Sequence, residues 1–469
     1  MRVCVEVPEL LAMSLGEAAR RLRARQISPV ELTEACLRQI ERVNPELNAF
    51  ITVTTESALA EAQAAEAEIQ RGHWRGPLHG IPVALKDLID TAGVRTTAGS
   101  NLFRDRVPTV DALVVTRLKA AGAVFLGKLN LHEFAFGASS VVSAFGPVRN
   151  PRNPAYSAGG SSSGSAAAVA SGCCYASVGT DTGGSIRQPA AFCGIVGFKP
   201  TYGLISAQGV IPLSTSIDHV GPMTRTVEDA AFFFQAMASD RDTEGDKNAT
   251  PDFAEALARD VPTLRIGVPR AYFYESLHPE VEAALSKALT VIGRLAQSQP
   301  MDLNPSAMDF QAANTLGNVL TKAEAYAYHR AYLDATPELY QPETLRRIRT
   351  GAEVSAEQYQ VAISQLAQVR SSARSLFEQV DILVTPTVPV PPNTIDELVR
   401  DPDKLRGREQ VTLRNTRPFN VLGLPSISVP CGRTSSGLPI GLQLTGPAGA
   451  DATVLRLAAA YEKAADWHH

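Results

Sequence analysis

Two serine- and glycine-rich stretches and one lysine carry the residue types from which a reaction could be built. Residues 157–172 read SAGGSSSGSAAAVASG, and residues 178–190 read VGTDTGGSIRQPA. Glycines at a helix start free backbone N–H groups to cradle a phosphate. Neither stretch contains G-K-[ST], however, and neither has a G-x-G-x-x-G with an acidic residue about 20 positions on. A passive linker needs polar flanks, whereas this serine run leads into AAAVASGCCYASVG, which calls for burial. The DTG at Asp181–Gly183 suggests an aspartic protease, but that chemistry needs two carboxylates sharing a proton, and DTG occurs once. A serine nucleophile, in turn, needs a base. The eight histidines offer no obvious partner, and His79 and His219 read as hydrogen-bonded structural residues. A lysine serves as a base if burial in apolar surroundings keeps it neutral. Lys86, closing the apolar run IPVAL, meets that condition, although a single lysine after a strand, taken alone, reads more simply as a solvated surface charge.

The elements that position these groups follow from pattern. The chain has 469 residues, 45% hydrophobic and 20% charged, enough for a large core, with no composition break that separates independent domains. One domain over 1–469 is expected. SLGE at Ser14–Glu17 and SPVE at Ser28–Glu31 are capping boxes, and residues 1–72 read as helices. From 73 to 230, strand-like IPVAL, VFLGKLN and CYASVGTD alternate with helix-like DALVVTRLKAAGA and AAAVASG. This alternation predicts an α/β fold, a large mixed sheet covered by helices on both faces. The polar ASDRDTEGDKNATPDF reads as a surface loop, and the region from about 235 to 380 reads as variable and mainly helical and is expected to shape the substrate pocket. DILVTPTVPV, PSISVPCG and PIGLQLTG return as strands within 381–469.

The net charge of −4 gives no global positive field, so neither nucleic acid nor an acidic membrane is expected as a partner. Six cysteines without C-x-x-C or Cys/His zinc spacing read as reduced. No signal peptide and no apolar run of membrane length is visible, which predicts a cytoplasmic location.

GIPVALKD around Lys86, AGGSSSGSAAAVASG around Ser161 and SVGTDTGGSIRQPAAFCGIVGFKPTYG around Ser185 together resemble the amidase signature family. GKLNLHEFAFG, SAFGPVRNP, STSIDHVGPMTRTVEDAA and the late GLPSISVPCG and GLPIGLQLTGP extend the likeness to most of the chain outside roughly 235–380. The resemblance implies a Ser/cis-Ser/Lys triad, with Ser185 the nucleophile, Ser161 a relay preceded by a cis peptide after Gly160, and Lys86 the ultimate base. It implies an acyl-enzyme and an oxyanion hole from the backbone N–H groups of Thr182, Gly183, Gly184 and Ser185. Ser162, Asp181 and Arg187 are expected to support the turn, and Gly137 in FAFGAS to border the substrate pocket. Asn130 and Glu133 are expected to be structural. Neither a metal nor an organic cofactor is implied, because the lysine and the oxyanion hole supply that chemistry.

Within the family, the glutamine-hydrolysing member of the aminoacyl-tRNA amidotransferases, their A subunit, shares much of this text. Where that protein carries an acidic residue after its late IGLQ strand to hold the glutamine amino group, this chain matches best at Ala450, with Asp451 one residue on. Residues 311–332 also depart from the segment that lines the glutamine site. Arg347 could meet a carboxylate, but reads more simply as a helix-surface arginine. These departures favour a stand-alone serine amidohydrolase, monomeric or homodimeric, acting on small amides, with esters and carbamates (urethanes) as further substrate classes. The glutamine-hydrolysing amidotransferase component is the alternative, and an inactive scaffold homologue is the second.

Overall fold

The computed structural model describes residues 6–238, 253–303 and 308–465. The helix starts fall where capping chemistry puts them. Ser14 accepts from the Glu17 N–H at the head of Leu15–Arg23. Ser28 and Glu31 close a reciprocal capping box on Pro29–Leu47, with Pro29 supplying a preset φ in the first turn. That helix stops at Asn48, which takes the left-handed conformation (φ +55°).

Thirteen strands follow in the described residues: β1 Phe50–Val53, β2 Pro82–Lys86, β3 Val124–Leu129, β4 Arg149–Asn150, β5 Asn153–Ser157, β6 Ala176–Asp181, β7 Val196–Lys199, β8 His219–Thr224, β9 Ile266–Val268, β10 Met301–Asp302, β11 Ile382–Pro386, β12 Ser426–Arg433 and β13 Pro439–Thr445. β4 and β5 form a small hairpin. The other eleven build one mixed sheet in the order β1-β3-β2-β6-β8-β7-β12-β13-β11-β9-β10. The expected α/β architecture is therefore present. The reading of residues 1–72 as helices needs correction, because Phe50–Val53 is an edge strand antiparallel to β3. Four half-buried residues between two long helical patterns are too few to show a period of two.

β2 lies between β3 and β6 and pairs in parallel with both. A parallel strand inside a covered sheet is apolar on both faces, and all five residues of β2 are buried. Lys86 is the one charged side chain in that run. Helices cover both faces of the sheet. Ser163–Ala170 and Arg187–Cys193 pack on each other and on the strands flanking the serine-rich segments, while Val227–Met237 and Asp451–Ala465 form a second group. The polar segment 238–253, expected as a surface loop, falls almost wholly outside the described residues. Among the described residues, no helix is long and apolar enough to cross a membrane.

Candidate active site

Lys86 ends β2 with its side chain fully buried. Its Nζ donates to Ser161 Oγ and to Thr180 Oγ1, both at 2.8 Å. Burial pushes its pKa down to about 7, against the opposing pull of Asp181 and Asp218. At neutral pH a large fraction of this lysine is therefore the free amine that a proton acceptor must be.

The serine-rich segment reaches Lys86 between β5 and the helix Ser163–Ala170. The Gly160–Ser161 peptide is cis. Gly160 donates its N–H to Gln188 Oε1 (2.8 Å), and Gly159 holds φ +80° where a Cβ would lie 2.5 Å from that same oxygen. Ser162 pins the segment to β6: its hydroxyl donates to the Thr180 carbonyl (3.1 Å) and accepts from the Thr180 N–H (3.2 Å). Its own N–H donates to the Ser185 carbonyl at 3.2 Å, joining the two serine-bearing segments. Gly164 follows, packed so closely that a Cβ would lie 2.4 Å from the Ala49 carbonyl oxygen. The serine run is neither linker nor phosphate cradle but a buried loop leading into a buried helix.

The second segment turns sharply where β6 ends. Asp181 Oδ1 accepts from the Gly184 N–H (2.6 Å) and Oδ2 from the Ile186 N–H (3.1 Å). Arg187 forks onto the same carboxylate through Nε and Nη2, each at 3.0 Å, with both side chains fully buried. Although burial alone favours the protonated acid, Arg187 and the Asn420 amide hold the Asp181 carboxyl well below the usual range. The Gly184 N–H, expected as one of the oxyanion donors, is instead engaged by Asp181, whose carboxylate reaches it at the tight end of the turn. Gly184 has φ +133°, and a Cβ there would lie 2.1 Å from Thr416 Oγ1, so only glycine fits. Thr182 is steered from below, its hydroxyl donating to Asp218 Oδ1 at 2.5 Å. Burial raises Asp218 to about 6.

Ser185 opens onto a hollow that also takes in Phe136, Gly137, Thr182, Gly183, Asn318 and Thr321, together with two arginines, Arg406 and Arg417. Asn318 and Thr321 come from the long helix Phe310–Leu333, within the region expected to shape the pocket. Roomier surface hollows lie along Pro279–Leu295 and between Phe310–Leu333 and Ala356–Ser372, away from Lys86, Ser161 and Ser185. Gly137 lines the hollow and must be glycine, because a Cβ there would lie 2.1 Å from the His132 ring. Asn130 is structural, tying Asn48, Gly146 and Ser143 together. Glu133 accepts from the Gln341 N–H and is pushed up to about 7 by burial. His79 and His219 serve in local hydrogen bonds to Arg75 and Ile217.

Arg347 sits differently from its sequence reading, whereas Asp451, one residue past the matched position, serves a local cap. Arg347 is 4% exposed, not a helix-surface arginine, and pairs with Glu343 at 2.6 Å and Glu409 at 2.7 Å. Asp451 does not point toward Ser185; it accepts from the N–H and hydroxyl of Thr201 at the head of Asp451–Ala465. Sequence reasoning missed Thr180, Asp218, Asn420, Arg406 and Arg417. Thr180 lies in the TDTGGS text itself, two residues before the turn and on the lysine's side of the pleat. The others come from distant segments whose approach no local pattern announces.

The chain matches the Amidase family over residues 31–455. It belongs to the amidase signature family. It is a hydrolase acting on carbon–nitrogen bonds. The A subunit of glutamyl-tRNA(Gln) amidotransferase from Geobacter metallireducens (strain ATCC 53774 / DSM 7210 / GS-15) is 41% identical, covering 98% of this chain and 99% of the relative. The solved structure of its counterpart from Thermotoga maritima, also a glutamyl-tRNA(Gln) amidotransferase component, superposes with a TM-score of 0.79 at 34% identity over 97% of this chain and 95% of that one. A chain from the vestigial protein complex that reveals the evolutionary origins of an s-triazine catabolic enzyme superposes with a TM-score of 0.88 at 32% identity, over 96% of this chain and 98% of the other.

These relatives overturn two expectations of this amidase. The stand-alone amidohydrolase for small amides, esters and carbamates gives way, because the full-length likeness is to subunits of a tRNA-dependent amidotransferase. The expectation of a partnerless monomer or homodimer with no connection to nucleic acid falls with it. Net charge reports on ligands attracted to this chain's own surface and carries no information on subunit contacts. The departures at Ala450 and along 311–332 are one position and one segment within a likeness that covers 98% of the chain.

Proposed function

We propose that this chain is the amide-hydrolysing, A-type subunit of a glutamyl-tRNA(Gln) amidotransferase, releasing ammonia from the side-chain amide of glutamine in a cytoplasmic assembly. The observation that carries the reading is the end-to-end likeness to the Geobacter protein, 41% identity with 99% of that relative covered. All of 1–469 then serves as one amidase domain.

In this reading Ser185 attacks the amide carbon. Its proton passes to Ser161 Oγ as the Ser161 proton passes to Lys86 Nζ, 2.8 Å away. The N–H groups of Thr182, Gly183 and Ser185 receive the carbonyl oxygen as it becomes negative, each well-placed donor contributing about 2.7–4 kcal/mol. On collapse the C–N bond breaks, and the proton returns through Ser161 to the leaving nitrogen, which departs as ammonia. Water, deprotonated by the same relay, then cleaves the Ser185 ester and frees the acid. Thr180 shares the lysine with Ser161 and keeps Nζ on the relay side. Gly160, Ser162, Asp181 and Arg187 position the two serine-bearing segments, and Gly137 borders the substrate.

The test is reconstitution with the partner subunits encoded by the source organism. Ammonia release from glutamine coupled to conversion of Glu-tRNA(Gln) to Gln-tRNA(Gln) is expected. Turnover of neutral amides with glutamine inert, and no stable complex with those subunits, would refute the reading.

A further inference from the structure

The oxyanion turn is held from a part of the chain that lies far from it in sequence. β6 and β8 pair antiparallel with Asp181 opposite His219. Continuing that register by one residue sets Thr182, where the turn begins, against Asp218, where the chain enters β8. Thr182 donates its hydroxyl to Asp218 Oδ1 at 2.5 Å. The other oxygen, Oδ2, accepts from the N–H groups of Leu213 (2.9 Å) and Ser214 (3.0 Å), and the Asp218 N–H donates back to the Ser214 carbonyl at 2.8 Å. Asp218 is thus a clasp between the oxyanion turn and the irregular segment 213–218. With burial raising it only to about 6, it is ionised at neutral pH and gives Thr182 a charged acceptor.

The segment 213–218 is in turn anchored by Glu324 on the helix Phe310–Leu333. Glu324 Oε2 accepts from the Ser214 hydroxyl (2.7 Å) and the Ser216 N–H (3.1 Å), and Oε1 from the Ser216 hydroxyl and from Tyr359 Oη (2.9 Å). Four donors therefore converge on one half-buried carboxylate. Arg370 and Tyr202 hold the outer side of the same segment by donating to the carbonyls of Ser216 (2.8 Å) and Thr215 (2.7 Å). One turn before Glu324, and adjoining it on the helix surface, Thr321 lines the hollow beside Ser185 together with Asn318. A continuous run of hydrogen bonds thus leads from the pocket-lining helix through Glu324, Ser214 and Asp218 to Thr182. A donor to an oxyanion acts most strongly when it is already aimed before charge develops, and this run fixes the residue whose N–H is assigned that task.

We propose that Glu324 is a positioning residue for the oxyanion turn: acting through Ser214, Ser216 and Asp218, it holds Thr182 with its N–H aimed at the developing oxyanion, so that the helix lining the substrate hollow also sets the rate of attack by Ser185. The inference rests on the hydrolytic reading of Ser185 and is indifferent to which amide is cleaved.

The experiment follows labelling of Ser185 by a fluorophosphonate on the full chain. The phosphoryl oxygen takes the oxyanion's place as the serine attacks, and the concentration dependence separates kinact from KI. Glu324→Met, which removes every acceptor, is expected to lower kinact about tenfold, a part of the 10²–10³ carried by a whole oxyanion donor, with KI within about twofold. Glu324→Gln keeps an acceptor for the Ser216 N–H and is expected to recover most of the rate. Thr182→Val is expected to lose about tenfold as well, and the double variant little more than either single one, whereas independent effects would multiply to about 100-fold. Circular dichroism checks the fold of each variant; if Glu324→Met does not fold, Thr182→Val with Asp218→Asn completes the same cycle on the next bond of the run. Unchanged kinact in Glu324→Met, a loss confined to KI, no rescue by Gln, or effects that multiply would overturn the inference and leave the hydrolytic reading standing. A folded wild type that remains unlabelled at Ser185 would overturn both.

Discussion

Replacing Lys86 by Met removes the titrating group while keeping an unbranched chain in the same buried slot, and its effect on stability should depend on pH in one direction only. In the folded protein burial holds the lysine near pKa 7, against an ordinary value of 10.5. Between those values the unfolded chain carries the extra proton, so wild-type stability climbs with pH across this window. Below about pH 7 both states are protonated, and the lysine's contribution stays flat at its least favourable level. Above about 10.5 both are neutral, and the penalty is gone. Each pH unit inside the window is worth about 1.4 kcal/mol. With half-protonation at the two ends taken into account, wild type should gain about 3 kcal/mol relative to Lys86→Met between pH 7 and pH 10. Urea unfolding of both proteins at pH 7, 8, 9 and 10 measures this as a difference of differences, which cancels every other titrating group. A gap between the two proteins that is the same at pH 7 and pH 10 would refute the reasoning. It would mean that Lys86 is charged in the folded protein and unable to accept a proton.

Four further outcomes follow from the same geometry. The value of kcat/KM should rise about tenfold per unit below pH 7 and level off above it, because the active form of Lys86 is the free amine; a falling limb there would contradict the assignment. Ser161→Ala should lower kcat by about 10²–10⁴-fold, the usual worth of a positioned proton-transfer group, with folding unchanged by circular dichroism. Arg187→Met should destabilise the protein by about 3–5 kcal/mol in urea, since it leaves Asp181 charged and buried without its fork, while the double change with Asp181→Asn should recover part of the loss. Gly184→Ala, forced against Thr416 Oγ1 at φ +133°, should cost roughly tenfold or more in kcat by moving the oxyanion turn; wild-type kinetics would show that the turn tolerates a side chain.

Much of the fold was legible because its elements carry local signals. SLGE and SPVE set helix starts that the structure reproduces, SPVE with the full reciprocal box and SLGE with the serine cap alone. IPVAL, rich in branched residues and short, became the buried parallel strand β2, and the lysine that follows it could be singled out because a charge closing such a run is an anomaly that needs a reason. FITV failed because a four-residue edge strand has too little length to declare a period. In the site, the serines and the lysine were visible as text, as was the Asp181–Arg187 pair, whose members lie six residues apart. Asp218, Asn420, Arg406 and Arg417 were not, since their roles depend on β8 pairing with β6 and on C-terminal segments folding back over the TGGS turn. Arg347 shows the complementary limit: helical periodicity says which face a residue occupies, but not that Glu409 from another helix will cover it. The assembly proposed for this chain was the least legible feature. Motifs that carry out amide cleavage are common to the family, and overall charge does not reveal what partner subunits hold.

The most direct test of the account is to trap the acyl-enzyme. Wild-type protein, free or bound to its partner subunits, is mixed with ¹⁴C-labelled glutamine, quenched in acid within milliseconds, and digested for peptide mapping. The account predicts a labelled glutamyl ester on the peptide containing Ser185, absent in Ser185→Ala and strongly reduced in Lys86→Met. Ammonia released from glutamine with no ester on Ser185, or an ester formed equally well without Lys86, would contradict it.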